Sequence, residues 1–228
     1  MIIGGFQRFS LIDYPGRICA IVFTQGCNFR CPYCHNPELV DTAGLPAVTQ
    51  EEVMSFLEAR RGKLEAVTIT GGEPLVQPDI GNFLSSVKSL GYLVKLDTNG
   101  SFPSRMEAIL QANTVDYIAM DVKAPLDKYD QVVRRSIDKA RILSSIKLIM
   151  DSGLGYEFRT TVVKPLLEGD DFIKMGKMIQ GARLYVLQRF VPSKLLDDQL
   201  LNADTYSDDE LNAIRHQMDG YVECCIIR

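Results

Sequence analysis

Short apolar runs alternate with helical patterns along almost the whole chain, and few folds accommodate such an alternation. Each run is rich in apolar, often β-branched residues and is bounded by turn residues, as buried strands are. The sequence predicts strands at residues 18–24, 66–70, 92–96, 116–122, 157–163 and 184–190. It predicts helices from Thr49 onward and at residues 78–90, 103–111, 134–150, 172–179 and 207–218, with a last short strand within 221–227.

Repeated strand–helix units with short connections favour right-handed crossovers and a parallel sheet. Such a sheet either stays open or curls into a full or partial barrel, and in both cases reactive groups collect at the carboxyl ends of its strands. The unusual residues of this chain follow those ends: a cysteine-rich loop, Gly71-Gly72-Glu73-Pro74, Asp97-Thr98-Asn99-Gly100, and Asp121 with Lys123. We therefore expect these segments to form one site.

Three cysteines follow the first predicted strand, Cys27, Cys31 and Cys34, with the spacing C-x3-C-x2-C. A [4Fe–4S] cluster usually takes four cysteines, so three leave one iron open for a small molecule, as a catalytic metal site requires. A thiol–disulfide site or a c-type haem site at residues 31–35 leaves Cys27 unexplained, and structural zinc lacks a fourth ligand because His35 is adjacent to Cys34. An open iron–sulfur cluster accounts for all three cysteines.

Length, charge and hydropathy restrict the class of protein further. The chain has 228 residues, which suits a single domain over residues 1–228. Its net charge of −4 gives no general attraction to nucleic acid, and no apolar stretch is long enough to cross a membrane. The start of the chain lacks a secretory signal, so we expect a cytoplasmic protein, in which six cysteines indicate metal or redox chemistry.

The cysteine spacing, with the aromatic Tyr33 before the last cysteine, is similar to the signature of the radical S-adenosylmethionine (SAM) superfamily. The segment 71–74 resembles the second motif of that superfamily. The resemblance implies an α/β fold, namely a partial (β/α)6 TIM-like barrel of the radical SAM type. It also implies a [4Fe–4S] cluster on the three cysteines, SAM on the open iron, and an oxidoreductase that forms a 5′-deoxyadenosyl radical.

The first third of the chain indicates which group of the superfamily this sequence resembles. Segments 10–17, 23–27 and 34–38 resemble the activating enzymes of glycyl radical enzymes, and most closely those of the anaerobic ribonucleoside-triphosphate reductase. By this resemblance the radical takes a hydrogen atom from a glycine Cα of a partner glycyl radical enzyme. A one-electron donor such as flavodoxin or ferredoxin would reduce the cluster. The segment 37–49 contains no cysteine, so we expect a single cluster.

The resemblance also implies roles for individual residues around SAM. Backbone groups of Tyr33, Cys34 and His35 would line the adenine. The amino group of SAM would be held by the glycine-rich turn of Gly71, Gly72, Glu73 and Pro74. Candidate contacts to the rest of the cofactor are the polar residues that follow the later strands: Asp97, Asn99, Asp121, Lys123, Arg159 and Gln188.

Some of these roles have an alternative. Asp97 and Asp121 could together hold a small cation, and a salt bridge from Asp121 to Lys123 is equally compatible with the sequence. Arg159 and Gln188 could instead form internal hydrogen bonds.

By the same resemblance, Asp13 would lie near the incoming glycine loop and, with Lys123 and the three cysteines, completes the predicted catalytic set. Other functions also fit: a radical SAM enzyme for a small molecule, such as a 7-carboxy-7-deazaguanine synthase, an activase of another glycyl radical enzyme, or a non-enzymatic iron–sulfur electron carrier or redox sensor.

Cys19 and the adjacent Cys224 and Cys225 lie outside the motifs. For the last two, burial as small apolar side chains in a strand is favoured over a redox pair.

Overall fold

The computed structural model describes residues 1–42 and 48–228, in which the apolar runs of the sequence form strands joined by helices. The strands are β1 Ile3–Tyr14, β2 Arg17–Thr24, β3 Ala66–Gly71, β4 Leu93–Thr98, β5 Tyr117–Asp121, β6 Gly155–Val162, β7 Tyr185–Arg189 and β8 Cys225–Ile227. The α-helices are α1 Gln50–Ala59, α2 Ile80–Ser89, α3 Pro103–Gln111, α4 Tyr129–Val133, α5 Lys139–Asp151, α6 Gly169–Met178 and α7 Asp208–Met218. Short 3-10 helices cover Pro37–Leu39, Pro74–Val76 and Asp198–Asn202. The segment 37–49, predicted to carry no second cluster, lies partly outside the described residues.

The described residues form two units that alternate along the sequence. The first unit comprises Met1–Asn28, Glu38–Thr98 and Ser104–Ile118. The second comprises Phe29–Pro37, Asn99–Pro103 and Ala119–Arg228. Strand β5 therefore starts in the first unit and ends in the second, and the cysteine loop passes from one to the other after Asn28.

In the first unit, β1 and β2 form an antiparallel hairpin, and β2, β3 and β4 pair in parallel in chain order. The parallel strands confirm the predictions for residues 18–24, 66–70 and 92–96. Strand β1 was not predicted, because its middle section is largely exposed, with Phe9 and Ile12 54% and 85% exposed, and so shows no clean apolar alternation. A core cluster of this unit contains Tyr14, Cys19, Ile21 and Ala66, with Phe23, Leu93 and Tyr117 packed against it.

In the second unit, β6, β7 and β8 pair in parallel in chain order. Strands β6 and β7 confirm two further predictions, and β8 is shorter than the predicted range 221–227. Cys225 is buried within β8 whereas Cys224 is exposed, and none of the six cysteines, all within the described residues, forms a disulfide. Burial in the last strand therefore holds for one of the two adjacent cysteines.

The predicted helix at residues 134–150 is wrong over its first turn. Helix α4 ends just before Arg134, which has a φ of +50° that a helix does not allow. Helix α5 begins only after Asp138, whose carboxylate caps its first turn. Between the two helices, the Asp130 carboxylate accepts a hydrogen bond from the Ile137 N–H at 3.1 Å. This side-chain bond competes with the helical hydrogen bond, and sequence periodicity does not reveal it.

Capping boxes begin α1 and α7, as predicted from the sequence. At α1 the Thr49 side chain accepts from the Glu52 N–H, and at α7 the Ser207 side chain accepts from the Glu210 N–H. In each case the glutamate carboxylate returns a bond to the capping residue. No helix in the described part of the chain has both the length and the apolar character needed to span a membrane.

Candidate active site

In the first unit, backbone hydrogen bonds fix the start of the cysteine loop. The Gly26 N–H donates to Leu39 O at 2.8 Å, and the Cys27 N–H donates to Val40 O at 3.0 Å. These bonds tie the residues after β2 to the segment that follows the loop. Cys27 is half-buried and forms no disulfide. The cysteine loop thus starts directly after β2, and the backbone of Cys27 is held by hydrogen bonds within the first unit.

The glycines of the segment 71–74 allow two backbones to approach closely. Gly71 has a φ of +111°, and a Cβ there would lie 2.4 Å from Thr24 O. A Cβ on Gly72 would lie 2.3 Å from Gly26 O. The Gly72 N–H donates to Thr24 O at 2.8 Å and the Glu73 N–H donates to Gly26 O at 2.9 Å. Both positions require glycine because the turn packs directly on the residues before Cys27.

Glu73 holds this turn with its side chain. It is 1% exposed, and its Oε1 accepts from the Leu75 N–H at 3.0 Å and from Thr98 Oγ1 at 2.8 Å. The Leu75 bond caps the 3-10 helix that begins at Pro74. The carboxylate therefore stabilises the turn.

At the end of β4, Asp97 pairs with a buried lysine that the sequence analysis did not select. Lys95 is 3% exposed, and its Nζ lies 2.5 Å from Asp97 Oδ1. A lysine inside the apolar run Leu93–Thr98 is the signal that could have identified it, because a buried ammonium needs a charged partner.

In the second unit, three contacts hold the rest of the cysteine loop. The Phe29 ring packs edge-on against Tyr129 with ring centroids 6.3 Å apart, and the Arg30 N–H donates to Val133 O at 2.9 Å. Further along, Pro32 O accepts from the Asp197 N–H at 3.0 Å. The loop is thus fixed by helix α4 and by the segment after β7.

Cys31 lies in a buried, cation-containing environment. Burial raises the pKa of Cys31 to about 11, and the nearby Lys123 ammonium opposes that rise. The Lys123 Nζ is 5.9 Å from the centroid of the Tyr33 ring. The buried Tyr33 hydroxyl has no conventional hydrogen-bond partner among the described residues and interacts with the Cys31 thiol. His35 stands at the edge of this group, with its ring 6.1 Å from Phe190, and burial lowers its pKa.

Asp121 joins two cations at the end of β5. Its Oδ2 accepts from Lys123 Nζ at 2.9 Å, and its Oδ1 accepts from Arg159 Nε at 2.9 Å. Burial opposes ionisation, yet the Arg159 and Lys123 charges together hold the pKa of Asp121 well below its usual range. The Lys123 N–H also donates to Tyr129 Oη at 3.3 Å, a contact that sequence reasoning missed. The salt bridge considered for Asp121 and Lys123 is present.

The remaining predicted residues occupy separate positions. Asn99 is buried, and its Oδ1 accepts from the backbone and side chain of Ser101, so its carbonyl oxygen organises the loop after β4. Gln188 is half-buried on β7. Asp13 lies on β1, where its carboxylate accepts from Ser10 Oγ at 2.5 Å.

Known proteins resemble this chain in sequence and in structure. A sequence model of the radical SAM superfamily matches residues 21–179. A candidate glycyl-radical enzyme activating enzyme of Methanocaldococcus jannaschii, MJ1227, is 31% identical over 232 aligned residues, covering 100% of this chain and 95% of that protein. The pyruvate formate-lyase-activating enzyme of Clostridium pasteurianum is 30% identical, covering 79% of this chain and 77% of that protein.

Solved structures show the same fold at low sequence identity. SuiB of Streptococcus suis superposes on 91% of this chain with a TM-score of 0.69 and 14% identity, and the chain spans about half the length of SuiB, 48%. A domain of a pyruvate-formate lyase-activating enzyme from Bacteroides vulgatus superposes on 72% of this chain and 99% of its own length, with a TM-score of 0.57 and 15% identity. These likenesses confirm the predicted α/β fold class.

Proposed function

This chain belongs to the radical SAM superfamily and, within it, to the glycyl-radical enzyme activating enzymes, and on that premise we propose that its partner is the anaerobic ribonucleoside-triphosphate reductase. The observation that carries the activase function is the alignment to MJ1227 over the whole chain. The choice of reductase rests on the segments 10–17, 23–27 and 34–38, which resemble the activating enzymes of that reductase.

The chemistry of the cysteine loop fits an iron–sulfur cluster. Cys27, Cys31 and Cys34 form no disulfides, and thiolates are the usual ligands of such clusters. Cys31 is buried beside the Lys123 cation, and positive charge near a ligating sulfur stabilises an anionic cluster. The raised pKa of the Cys31 thiol is no obstacle, because a coordinating metal deprotonates a thiol outright.

We assign the three cysteines as cluster ligands and the main chain of the segment 71–74 as the seat of the SAM amino group. When bound, the cluster and SAM supply the radical that removes a hydrogen atom from a glycine Cα of the partner. The protein's own contribution is to bind and orient the cluster and SAM and to shield the radical from side reactions. The Gly71 and Gly72 backbones contribute by fixing the turn against the residues before Cys27.

Lys123 and Arg159 are the residues that we assign to the carboxylate of SAM. Both are cations on the same Asp121 carboxylate, which fixes their positions without cancelling their combined charge. A carboxylate ligand meeting a preorganised pair of cations forms strong, charge-assisted hydrogen bonds. The rings of His35 and Phe190 give a partly apolar wall that suits adenine.

A small cation near Asp97 and Asp121 stays a prediction. Both oxygens of Asp121 already accept hydrogen bonds from cationic side chains at 2.9 Å, and Asp97 pairs with Lys95. Within residues 1–42 and 48–228, no three His, Cys, Asp or Glu side chains come together as a site for a single metal ion. The ion pairs account for these carboxylates without a bound cation.

We further propose a single domain over residues 1–228, a cytoplasmic location, and a flavodoxin or ferredoxin as the one-electron donor. Six cysteines without a disulfide are usual for a protein of a reducing compartment. The roles of Asp13, Asn99 and Gln188 toward substrate and cofactor, and the absence of nucleic-acid and membrane partners, also stay predictions.

The test is anaerobic incubation of the reconstituted, reduced protein with SAM and the anaerobic reductase, followed by electron paramagnetic resonance. The proposal predicts a glycine-centred doublet on the reductase, which is absent when its target glycine is replaced by alanine. Pyruvate formate-lyase, incubated in parallel, tests the partner. A doublet on pyruvate formate-lyase but none on the reductase would show that the proposed partner is wrong while the activase function stands.

A further inference from the structure

A buried carboxylate on β6 is held by an arginine that lies two strands away. Glu157 is fully buried, and its two oxygens accept from both terminal nitrogens of Arg228, each at 3.1 Å. The Arg228 backbone continues the β7–β8 ladder, because its N–H donates to Leu187 O at 2.9 Å and its carbonyl accepts from the Arg189 N–H at 2.8 Å. The guanidinium is therefore anchored at its base and bidentate at its tip, a geometry with strong directional preference.

The register of the sheet places this pair on the same face as Arg159. Arg159 pairs with Val186, and Val186 pairs with Ile226. Paired residues of neighbouring strands point to the same face, and so do residues two apart along a strand. Glu157 precedes Arg159 by two residues, and Arg228 follows Ile226 by two. Glu157 and Arg228 therefore lie on the face of the sheet that carries Arg159, one of the two cations that we assign to the carboxylate of SAM.

Arg159 stands between two carboxylates. Its Nε lies 2.9 Å from Asp121 Oδ1, whereas its Nη1 is 3.9 Å from Glu157 Oε1. A buried carboxylate is costly unless it is paired, so Glu157 attracts the nearest available cation. Since Arg228 engages both oxygens of Glu157, the short contact of Arg159 goes to Asp121. Each carboxylate of this network thus has a cationic partner, Arg228 for Glu157 and the pair of Arg159 and Lys123 for Asp121.

We propose that Arg228 is a positioning residue for SAM binding: by neutralising Glu157 it keeps Arg159 on Asp121, in the place where Arg159 and Lys123 receive the carboxylate of the cofactor. This inference rests on the proposed function, since it concerns the same cofactor. It assigns to Arg228 and Glu157 a role in cofactor affinity that acts through Arg159, without contact to SAM.

The experiment compares Arg228→Gln with the double variant Glu157→Gln plus Arg228→Gln in the reconstituted protein. In the single variant Glu157 loses its bidentate partner and draws Arg159 away from Asp121, so SAM binds about tenfold more weakly, as for the loss of one charge-assisted hydrogen bond. In the double variant that competing carboxylate is gone, and affinity returns to within about twofold of the unmodified protein. Equilibrium dialysis gives the dissociation constant, and the SAM-induced change in the spectrum of the reduced cluster reports the binding geometry.

The control is Arg183→Gln, which removes an exposed guanidinium that lies over the Tyr156 ring, 5.9 Å from its centroid, outside this network. It should bind SAM like the unmodified protein. Arg228→Lys keeps the charge without the bidentate geometry and should be intermediate, which covers the case in which Arg228→Gln does not fold. Unchanged affinity in Arg228→Gln, or a double variant no better than the single one, overturns the inference. Failure of the unmodified protein to bind SAM would instead overturn the proposed function.

Discussion

Gly71 shows how one missing side chain allows a turn to pack against the residues that precede the cysteine loop. Its backbone adopts a φ that L-residues rarely accept, and it lies so close to Thr24 that a methyl group cannot be inserted. The adjoining Gly72 meets Gly26 in the same way. Because Gly26 immediately precedes Cys27, the glycine turn and the first proposed cluster ligand are held by one set of backbone contacts.

We therefore expect Gly71→Ala to lower the free energy of unfolding of the metal-free protein by about 2 kcal/mol or more, from backbone strain and a clash with main-chain atoms. Urea unfolding followed by circular dichroism measures the change. The control is Gly81→Ala in α2, where an added Cβ meets nothing within 4 Å. Removing a helical glycine there should stabilise the protein by about 0.5–1 kcal/mol. Equal effects at the two positions would contradict the packing described for the turn.

Cys31 and Cys224 form a second matched pair. Cys31→Ala removes a proposed ligand, so iron retention and formation of 5′-deoxyadenosine should fall by more than about 100-fold, beyond the loss typical of residues that only support a ligand. Cys224 is exposed and lies outside the motif, so Cys224→Ala should leave both unchanged and shift stability by no more than about 0.5 kcal/mol. Full cofactor cleavage by Cys31→Ala would exclude it as a ligand.

At the scale of elements, sequence signals succeeded where the cause is local. The parallel strands are short and buried, and the capping boxes at Thr49 and Ser207 depend on residues three positions apart. Strand β1 was not predicted because its middle section is exposed. The break after α4 was not predicted because it depends on a hydrogen bond to the Asp130 side chain. A local sequence pattern does not specify the exposure or orientation of a side chain, so only the structure reveals these two features.

The same distinction applies to the candidate site. The cysteine loop and the glycine turn are contiguous motifs and could be read from the chain. The pairing of Glu157 with Arg228 joins residues 71 positions apart and depends on strand register, which the sequence does not specify. The pair of Lys95 and Asp97 was predictable only in part. A lysine in a buried strand indicates that a charged partner is present, but it does not identify Asp97 as that partner.

Helix α7 gives a prediction at this scale. Ser207→Ala removes the side-chain acceptor for the Glu210 N–H and should cost about 1 kcal/mol of stability, with faster hydrogen exchange in the first turn of the helix. Asn212→Ala, at an exposed position of the same helix, should be neutral or slightly stabilising because alanine favours helix. If Asn212→Ala destabilises as much as Ser207→Ala, the cap does not determine where this helix begins.

At the scale of the whole molecule, the assignment rests on agreement between independent kinds of observation. The family match covers most of the chain, the relative from Methanocaldococcus jannaschii aligns along all of it, and solved structures share the fold. The residues singled out by motif also lie in fixed, hydrogen-bonded positions: the Cys27 backbone on Val40, the glycine turn on Gly26, and Asp121 between its two cations. A function in hydrogen abstraction from a protein glycine is consistent with each of these observations.

The most direct measurement is the fate of the glycine hydrogen. The anaerobic reductase is prepared with Cα-deuterated glycine and incubated with the reduced protein and SAM, and 5′-deoxyadenosine is then analysed by mass spectrometry. Direct abstraction predicts a deuterium atom in 5′-deoxyadenosine, together with a glycyl radical on the reductase. Formation of 5′-deoxyadenosine that contains no deuterium, with no glycyl radical on the reductase, would contradict the account.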